Sequence, residues 1–295
     1  MAISKNTLKR IFSNRTKKVN RSKAGNMGIF LFIAVIAAYS VIPLILLISN
    51  SLKPISELYI YPPRIFPIEP TFDNFTTLFE LMSSTWIPFS RYVFNTFFVT
   101  FATTGIHLVI ASMAAYPLSK HKFRGKNFIN TLIMYSLMFV PAVTDVVNYM
   151  TISSLGMINT YFAMILPNVY YTMGIFLLRN YMTTIPTTLI EAAKIDGCHE
   201  WKILWKIIMP MAKPAWLTLM ILMVQNMWGN PNTTYIYAEK YKTLPAALSQ
   251  ITSGGLIRAG AGQAVGVIML IVPAVIFLIN QTKMIETMAS SGIKE

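Results

Sequence analysis

Long uncharged apolar stretches alternate with short charged stretches along the 295 residues of the chain. A helix needs about 20 apolar residues to cross a bilayer. Stretches that meet this requirement cover residues 28–50, 92–118, 128–151, 161–178, 214–237 and 263–282. The pattern therefore predicts an all-α membrane protein with six transmembrane helices in a domain over residues 28–282. A tail of residues 1–27 precedes this domain, and a tail of residues 283–295 follows it.

The third and fourth predicted spans share one apolar region, residues 127–178, whose only charged residue is Asp145. The region is too long for one helix to use in crossing a bilayer once. A tight turn is therefore expected near residues 154–161. Gly156 and Asn159 lie there, and both residue types commonly interrupt helices.

Residues 51–91, between the first two predicted spans, differ in character from the apolar stretches. They are rich in charged, proline and aromatic residues. We expect an ordered loop outside the membrane, with a short helix near residues 74–82. A second loop outside the membrane is expected before the sixth span, up to about residue 262.

Lysine and arginine residues are distributed unequally between the two sides that six spans would define. Of the 25 such residues, 19 lie in the two tails and in the stretches 120–126 and 179–213, and 6 lie on the other side. Cytoplasmic loops carry an excess of lysine and arginine. Both termini are therefore predicted to be cytoplasmic.

Composition excludes several other classes of protein. Hydrophobic residues make up 54% of the chain and charged residues only 12%, whereas a soluble domain is about a quarter charged. The net charge of +14 does not indicate a nucleic-acid partner, because the basic residues lie between apolar runs. The single cysteine, Cys198, excludes an internal disulfide. The three histidines show no metal-ligand spacing, so no metal site is expected.

No phosphate-binding G-x-x-x-x-G-K-[ST] motif occurs in the sequence, so the chain itself is not expected to bind a nucleotide or to be an enzyme. The basic tail of residues 1–27 has no recognisable cleavage site for a signal peptide. We expect this tail to be retained, to set the orientation of the chain and to contact anionic lipid head groups.

The most informative stretch is residues 185–214, between the fourth and fifth predicted spans. Pro186 suits the first turn of a helix, and Gly197 can adopt the left-handed conformation that often ends one. A second helix over residues 199–209 would carry an apolar stripe at helical spacing. The stripe consists of Trp201, Leu204, Trp205 and Ile208. Such a pair of helices forms either a rigid knuckle that transmits force to a soluble partner or an amphipathic hairpin on the lipid surface. The pattern alone favours neither.

This stretch resembles the EAA signature of binding-protein-dependent ABC importer permeases. The signature is E-A-A, three residues, G, nine residues, I, one residue, and L-P. The matching residues are Glu191, Ala192, Ala193, Gly197, Ile207 and Pro210, and Met209 replaces the leucine. The resemblance implies a type I ABC importer permease fold in which this loop docks on an ATP-binding subunit. Asp196, on the first helix of the loop, is expected to take part in the same contact.

Further segments resemble carbohydrate permeases of the MalG type. These segments are S-L-K-P (51–54), P-P-R-I-F-P (62–67), P-T-F-D-N-F (70–75), R-Y-V-F-N-T (91–96) and T-L-P-A-A-L (243–248). The terminal S-S-G-I-K-E (290–295) is similar to the end of these permeases, except that Glu295 replaces the final glycine. The resemblance covers nearly all of the chain except its first 25 residues.

The resemblance also implies a set of partners and a location. The chain would pair with a homologous, MalF-like permease above two ATP-binding subunits, which would hold ATP and Mg²⁺, and an extracellular solute-binding protein would deliver the sugar. Gly292, Ile293 and Lys294 in the C-terminal tail would reach the ATPase. The expected location is the bacterial cytoplasmic membrane, which the chain would cross several times.

Several polar and aromatic residues within the apolar stretches are candidates for the substrate pathway. They are Asp145, Asn148, Tyr149, Gln225, Asn226 and Trp228. Ionisable groups inside membranes usually serve a function, but Asp145 can also simply touch water at the end of its span. Amides such as Gln225 and Asn226 either bind sugar hydroxyls or bond to the partner permease. Trp228 is a candidate for stacking on a sugar ring.

Two other functions compete with a sugar permease. The first is a permease for a different solute, against which the MalG-like segments argue. The second is an ion-coupled secondary transporter, which would show internal repeats and charged sites at mid-membrane. The isolated Asp145 gives little support for ion coupling. Which sugar is carried stays open; the basic residues Lys240, Lys242 and Arg258 leave an acidic oligosaccharide among the alternatives.

Overall fold

A computed structural model describes residues 23–83, 86–139, 141–231, 233–255 and 258–291 of the chain. All regular secondary structure within these ranges is helical, as predicted. The α-helices there are α1 (Lys23–Ser51), α2 (Ile55–Leu58), α3 (Asp73–Ser83), α4 (Phe89–Lys120), α5 (Lys126–Ser136), α6 (Pro141–Ser154), α7 (Tyr161–Val169), α8 (Thr172–Thr184), α9 (Thr188–Ile195), α10 (Glu200–Ile203), α11 (Met209–Met211), α12 (Lys213–Trp228), α13 (Leu244–Thr252) and α14 (Ala259–Ser291). A π-helical turn covers Leu204–Ile208, and a 3-10 turn covers Glu239–Tyr241.

Three helices in the described ranges are long and apolar enough to cross a membrane: Gly25–Ser51, Phe89–Lys120 and Ala259–Leu278. Two bent pairs of helices raise the number to five if each pair counts as one span. One pair is α7 with α8, bent by 40°, and the other joins Glu200–Met211 to α12 at 80°. By length and composition, the described residues therefore contain three to five spans.

Three of the predicted spans are not single helices over their predicted lengths. Residues 161–178 divide into α7 and α8, with the 40° bend between them. Residues 128–151 divide into α5 and α6, because α6 begins at Pro141. Proline lacks a backbone N–H and fits the first turn of a helix better than its interior. Residues 214–237 are helical only as far as Trp228, since Gly229 and Pro231 follow and do not favour a continued helix.

Helix α4 is the central helix of the bundle and packs against α7, α8, α12 and α13. At 1.5 Å per residue its 32 residues span about 48 Å. Its buried face is largely polar and carries Asn95, Thr96, Thr100, Thr103, Thr104, His107 and Ser112. Small polar residues let membrane helices approach closely. The contact with α8 is close, because a Cβ atom on Gly174 would lie 2.1 Å from Nε2 of His107.

The N-terminal end of α4 holds the segment 239–244. Asn95 Nδ2 donates to the carbonyl oxygens of Lys240 at 3.0 Å and Lys242 at 2.8 Å. Thr96 Oγ1 accepts from the backbone N–H of Leu244 at 2.7 Å, and Tyr92 Oη donates to Glu239 at 2.8 Å. Two segments that share a family resemblance, 91–96 and 243–248, are thus brought together by hydrogen bonds to backbone.

The loop after α1 is ordered, and its predicted short helix is confirmed as α3. Asn74 on α3 donates to the carbonyl oxygens of Ser51 at 2.9 Å and Lys53 at 2.7 Å. The buried Lys53 ammonium donates to Asn50 Oδ1 at 2.7 Å. The carboxylate of Glu57 accepts from the backbone N–H of Ile68 at 3.0 Å. Side chain to backbone bonds therefore fold this proline-rich segment back against the end of α1.

The predicted turn between the third and fourth apolar stretches is also confirmed. Gly156 and Asn159 both have positive φ angles, of 66° and 62°. Oδ1 of Asn159 accepts from the backbone N–H groups of Tyr237 at 2.6 Å and Ala238 at 2.8 Å. The turn consequently lies at the same end of α4 as the segment 239–244.

Replacement of Asn95 by alanine is expected to loosen the segment 239–244. Asn95 is fully buried, and a buried polar group left without its partner costs about 1–3 kcal/mol. Trypsin should cleave Asn95→Ala after Lys240 and Lys242 at least about fivefold faster than the unmodified chain, with a lower thermal unfolding midpoint in detergent. Asn127→Ala, at an exposed position on α5, serves as the control. Equal cleavage rates for both variants would contradict the role assigned to Asn95.

Candidate functional site

The loop that carries the EAA resemblance consists of α9, a turn at Gly197, α10, the π-helical turn and α11. Gly197 has a φ angle of 75°, the left-handed conformation predicted for it. The N–H of Cys198 donates to the carbonyl of Ala193 at 2.9 Å, and the N–H of Gly197 donates to that of Lys194 at 3.0 Å. This pair of bonds is the Schellman motif that satisfies the last carbonyls of a helix. It fixes the direction in which the chain leaves α9.

One side of the loop packs into the apolar core of the bundle. Ile190 and Ala193 of α9 are buried. Ile203, Leu204 and Ile208 are also buried; they lie in residues 200–211, which form the second arm of the loop after Gly197. These residues belong to one continuous cluster with residues of α4, α8 and α12, which include Ala115, Tyr116, Leu178, Met182 and Leu219. The loop is therefore a packed extension of the helix bundle. This arrangement favours the rigid knuckle over an amphipathic hairpin lying on lipid.

The apolar stripe predicted for the second arm is only partly correct. Leu204 and Ile208 are buried, but Trp201 is 54% exposed, and Ile203 and Met209 are buried instead. The reason is the π-helical turn over residues 204–208. Its wider hydrogen-bonded rings change the angle between successive side chains, so a stripe read at α-helical spacing does not stay on one face.

The residues of the signature divide between the core and the surface. Glu191, Ala192, Asp196, Gly197 and Pro210 are exposed. Ala193 is buried, whereas Ile207 is half-buried against the core cluster. The exposed side also presents two apolar side chains, Ile195 at 87% and Leu189 at 39% exposure. The exposed surface of α9 and its turn thus combines Glu191, Lys194 and Asp196 with aliphatic groups, which is a suitable surface for a protein partner.

Sequence reasoning missed Glu200, which forms the main polar contact of the loop. Its carboxylate accepts from Tyr116 Oη at 2.6 Å and pairs with Lys194 Nζ at 2.6 Å. Nε2 of His121 lies 3.2 Å from the same carboxylate. The only signal in the sequence was its position as an acidic residue between Lys194 and Lys202.

The surroundings of Glu200 keep it ionised. Desolvation acts to raise its pKa, but hydrogen bonds from Lys194, Tyr116 and His121 outweigh it and lower the pKa to about 2. A carboxylate with a lowered pKa stabilises the folded state above its ordinary pKa, and loses that effect as pH falls toward the folded value. The contact therefore persists throughout the physiological pH range.

The candidates for the substrate pathway lie on two helices, α6 and α12. Asp145, Gln225 and Asn226 are exposed. Asn148 donates to Tyr170 Oη at 2.8 Å, and Tyr149 stacks with Tyr235 at a centroid distance of 6.4 Å. Trp228 is only 3% exposed; its Nε1 donates to the carbonyl of Met269 at 3.1 Å, and its ring packs edge-on against Phe97. In this conformation Trp228 joins α12 to α14 and presents no ring face to a sugar.

Two further expectations concern the tail and metals. The tail residues Gly292, Ile293 and Lys294 lie outside the described residues. Within the residues that the structure describes, no group of three or more His, Cys, Asp and Glu side chains is placed to hold a metal ion.

The described residues form an all-helical membrane bundle, and its packed loop exposes several residues that resemble the EAA signature. These features are typical of a membrane transport subunit. The profile of the binding-protein-dependent transport system inner membrane components matches residues 107–287, which is more than half of the chain. The chain belongs to this family. It is therefore the membrane component of a transport system and not an enzyme.

Curated relatives agree with this assignment. The chain is 32% identical over 254 residues to the probable ABC transporter permease protein YurM of Bacillus subtilis (strain 168), covering 79% of this chain and 83% of the relative. It is 31% identical over 280 residues to the arabinooligosaccharides transport system permease protein AraQ of Halalkalibacterium halodurans, covering 90% and 94%.

Solved structures share the fold. A chain of a bacterial ABC transporter involved in the import of the acidic polysaccharide alginate superposes with a TM-score of 0.72 at 20% identity, covering 96% of this chain and 99% of that one. A chain of the MetNI methionine ABC transporter in an inward-facing conformation gives a TM-score of 0.51 at 19% identity, covering 67% and 95%. At these identities the likeness concerns the fold alone.

The left-handed turn at Gly197 can be tested by substitution. No atom lies within 4 Å of a Cβ placed on Gly197, so alanine would act only through the backbone, at a cost of about 1–2 kcal/mol. Gly197→Ala should accelerate amide hydrogen exchange at Gly197 and Cys198 by about fivefold or more. Gly197→Asn is the matched variant and should have a smaller effect, because asparagine tolerates this conformation. Unchanged exchange in Gly197→Ala would contradict the turn.

Proposed function

We propose that this chain is the permease subunit of an ATP-driven, binding-protein-dependent importer of sugars, with oligosaccharides as the expected cargo. The observation that carries the proposal is the EAA loop, which is anchored in the core on one side and exposed on the other. The family supplies the transport role. Relatives named for arabinooligosaccharides, galactooligosaccharides and melibiose, raffinose and stachyose support sugar as the substrate class.

The exposed side of α9 and the turn at Gly197 is the proposed docking surface for an ATP-binding subunit. Glu191 would pair with a basic group of that subunit, while Ala192, Asp196 and Gly197 would allow close contact. ATP and Mg²⁺ would be held by the partner. The partner can drive a change between two states of the permease only if ATP binds those states with different affinity. A rigid loop meets the mechanical requirement, because it moves together with the bundle core.

The remaining partners follow from the same assignment. A second, homologous permease would complete the translocation pathway, and a solute-binding protein would deliver the sugar from outside. The structural likeness to an alginate importer, one of whose structures contains a periplasmic protein bound to an alginate pentasaccharide, supports an assembly of this general kind. In the C-terminal tail, Gly292, Ile293 and Lys294 are proposed to contact the ATPase.

The polar residues of α6 and α12 are proposed to serve the translocation pathway. Asp145, Gln225 and Asn226 are exposed in the isolated chain, so they are available to a sugar or to the second permease. Asn148 and Tyr149 already contact other tyrosines, and would contribute aromatic and hydroxyl groups beside that path.

Six membrane spans and cytoplasmic termini are also part of the proposal. The broken pair α5 and α6 would form the third span, and α12 alone would form the fifth. The basic stretch 120–126 and the EAA loop lie at the same end of α4. This shared location supports a single cytoplasmic side, in agreement with the distribution of lysine and arginine.

Glu191→Lys should abolish transport without preventing insertion into the membrane, because it reverses the charge of an exposed docking residue. Uptake of radiolabelled arabinotriose, galactotriose, raffinose and an alginate trisaccharide would be measured in proteoliposomes that contain all subunits. Glu80→Lys, at an exposed position on α3, is the matched control and should transport normally. Normal uptake by a well-expressed Glu191→Lys variant would refute the docking role. Uptake that needs an ion gradient instead of the ATPase would refute the importer class.

Single cysteines test the proposed orientation. Ile195→Cys and Tyr61→Cys would each be made in a Cys198→Ser background, since Cys198 is the only cysteine in the sequence. Both positions are highly exposed, at 87% and 91%. A membrane-impermeant maleimide should label the cysteine at position 61 in intact cells, and the cysteine at position 195 only in inverted vesicles that hold the permease without its ATP-binding subunits. Labelling of both positions from the same side would contradict the proposed topology.

A further inference from the structure

We propose that Glu200 is the positioning residue that fixes the EAA loop to the cytoplasmic end of α4, so that movement of the loop is passed to this central helix. The inference rests on the proposed function, in which the loop receives movement from the ATP-binding subunit. It assigns a task to a residue outside the EAA signature. Glu200 does not belong to the docking surface. It lies on the second arm of the loop, after the turn at Gly197.

The carboxylate of Glu200 contacts three side chains, which come from α9 and from the end of α4. Lys194, in the last turn of α9, pairs with Oε1 at 2.6 Å. Tyr116, near the end of α4, donates to Oε2 at 2.6 Å. His121, directly after α4, places Nε2 3.2 Å from Oε1. Both oxygens are therefore engaged, one with α4 and the other shared between α9 and the end of α4.

The groups that contact Glu200 are themselves held in place. Tyr116 is only 4% exposed, and its ring packs edge-on against that of His121 at a centroid distance of 5.1 Å. Lys126 Nζ donates to the carbonyl of His121 at 2.9 Å. Lys120 Nζ donates to the carbonyl of Ile185, where the chain leaves α8 to enter the loop. The end of α4 is thus bonded to the loop at its beginning and at its middle.

The hydrogen bonds of Glu200 fix the position of α9 in a way that apolar packing does not. Apolar burial is non-directional, so the contact of Ile190 and Ala193 with the core permits small sliding movements. Charge-assisted hydrogen bonds are short and directional, and a shared carboxylate therefore fixes the position of α9 relative to α4. Without it, part of any displacement of α9 would be lost as sliding of α9 against the apolar core.

The solvent exposure of Glu200 and Lys194 distinguishes a positioning role for Glu200 from a purely stabilising one. The side chain of Glu200 is 47% exposed and that of Lys194 is 49% exposed. Exposed ion pairs contribute little to the stability of a fold. Loss of Glu200 should consequently leave the unfolding temperature nearly unchanged, and should appear mainly in the transfer of movement from loop to bundle.

The test compares ATP hydrolysis with sugar uptake in proteoliposomes that contain the complete transporter. The sugar is the member of the panel above that the unmodified transporter takes up fastest. Glu200→Ala is expected to raise the ATP hydrolysed per sugar transported by about fivefold, with normal expression and unfolding temperature. Glu200→Gln retains an acceptor and should give an intermediate ratio. Lys202→Met, which removes an exposed cation from the same short helix, should leave the ratio unchanged.

A double-mutant cycle identifies the contact itself. If Tyr116 acts through Glu200, the effects of Tyr116→Phe and Glu200→Ala on the ratio will not add, because both remove the same bond. Additive effects, or an unchanged ratio in Glu200→Ala, would overturn the proposal. A variant with a lowered unfolding temperature and an unchanged ratio would also overturn it, since the role would then be structural only.

Failure of the proposed function gives a different result. In that case the unmodified chain, assembled with its partners, would show no uptake that depends on ATP. If the unmodified transporter couples ATP hydrolysis to uptake and Glu200→Ala couples equally well, only the role of Glu200 is refuted.

Discussion

The buried polar face of α4 imposes the requirement on which the rest of the bundle depends. Polar groups that are removed from water cost free energy unless they find partners within the protein. Oγ1 of Thr103 and of Thr104 lacks such a partner among the described residues. Asn95 and Thr96 find theirs in the backbone of the segment 239–244. His107 finds its own in the carbonyl of Val169, at 2.7 Å, where α7 ends. These bonds determine which segments lie against α4 and where the bent span of α7 and α8 is held.

The same helix connects the two ends of the molecule. Its N-terminal end holds the segment 239–244, and its C-terminal end contacts the EAA loop through Tyr116 and Glu200. Because a helix is stiff along its axis, a displacement at one end is transmitted over about 48 Å. This arrangement provides a direct route between the proposed docking surface and the opposite end of the bundle.

Family resemblance in separate segments has a common structural origin. The segments 91–96 and 243–248 contact each other, and the segments 51–54 and 70–75 are joined by hydrogen bonds from Asn74. In each case a side-chain amide or hydroxyl binds backbone groups of the other segment. Such contacts restrict residue type strongly, because few side chains offer the same geometry.

The sequence by itself determined the features that depend on local chemistry. The lengths of the apolar stretches and the distribution of charge predicted an all-helical membrane protein. A short helix was predicted near residues 74–82, where α3 lies. Gly156, Asn159 and Gly197 marked turns that need positive φ angles. Tertiary structure alone decided the π-helical turn at 204–208 and the burial of Trp228. It also decided the partners of Glu200, which lie 6, 79 and 84 positions away in the chain. The physical reason is that hydrophobic patterns and turn residues act within a few positions of the chain, whereas hydrogen bonds between helices depend on how distant segments pack.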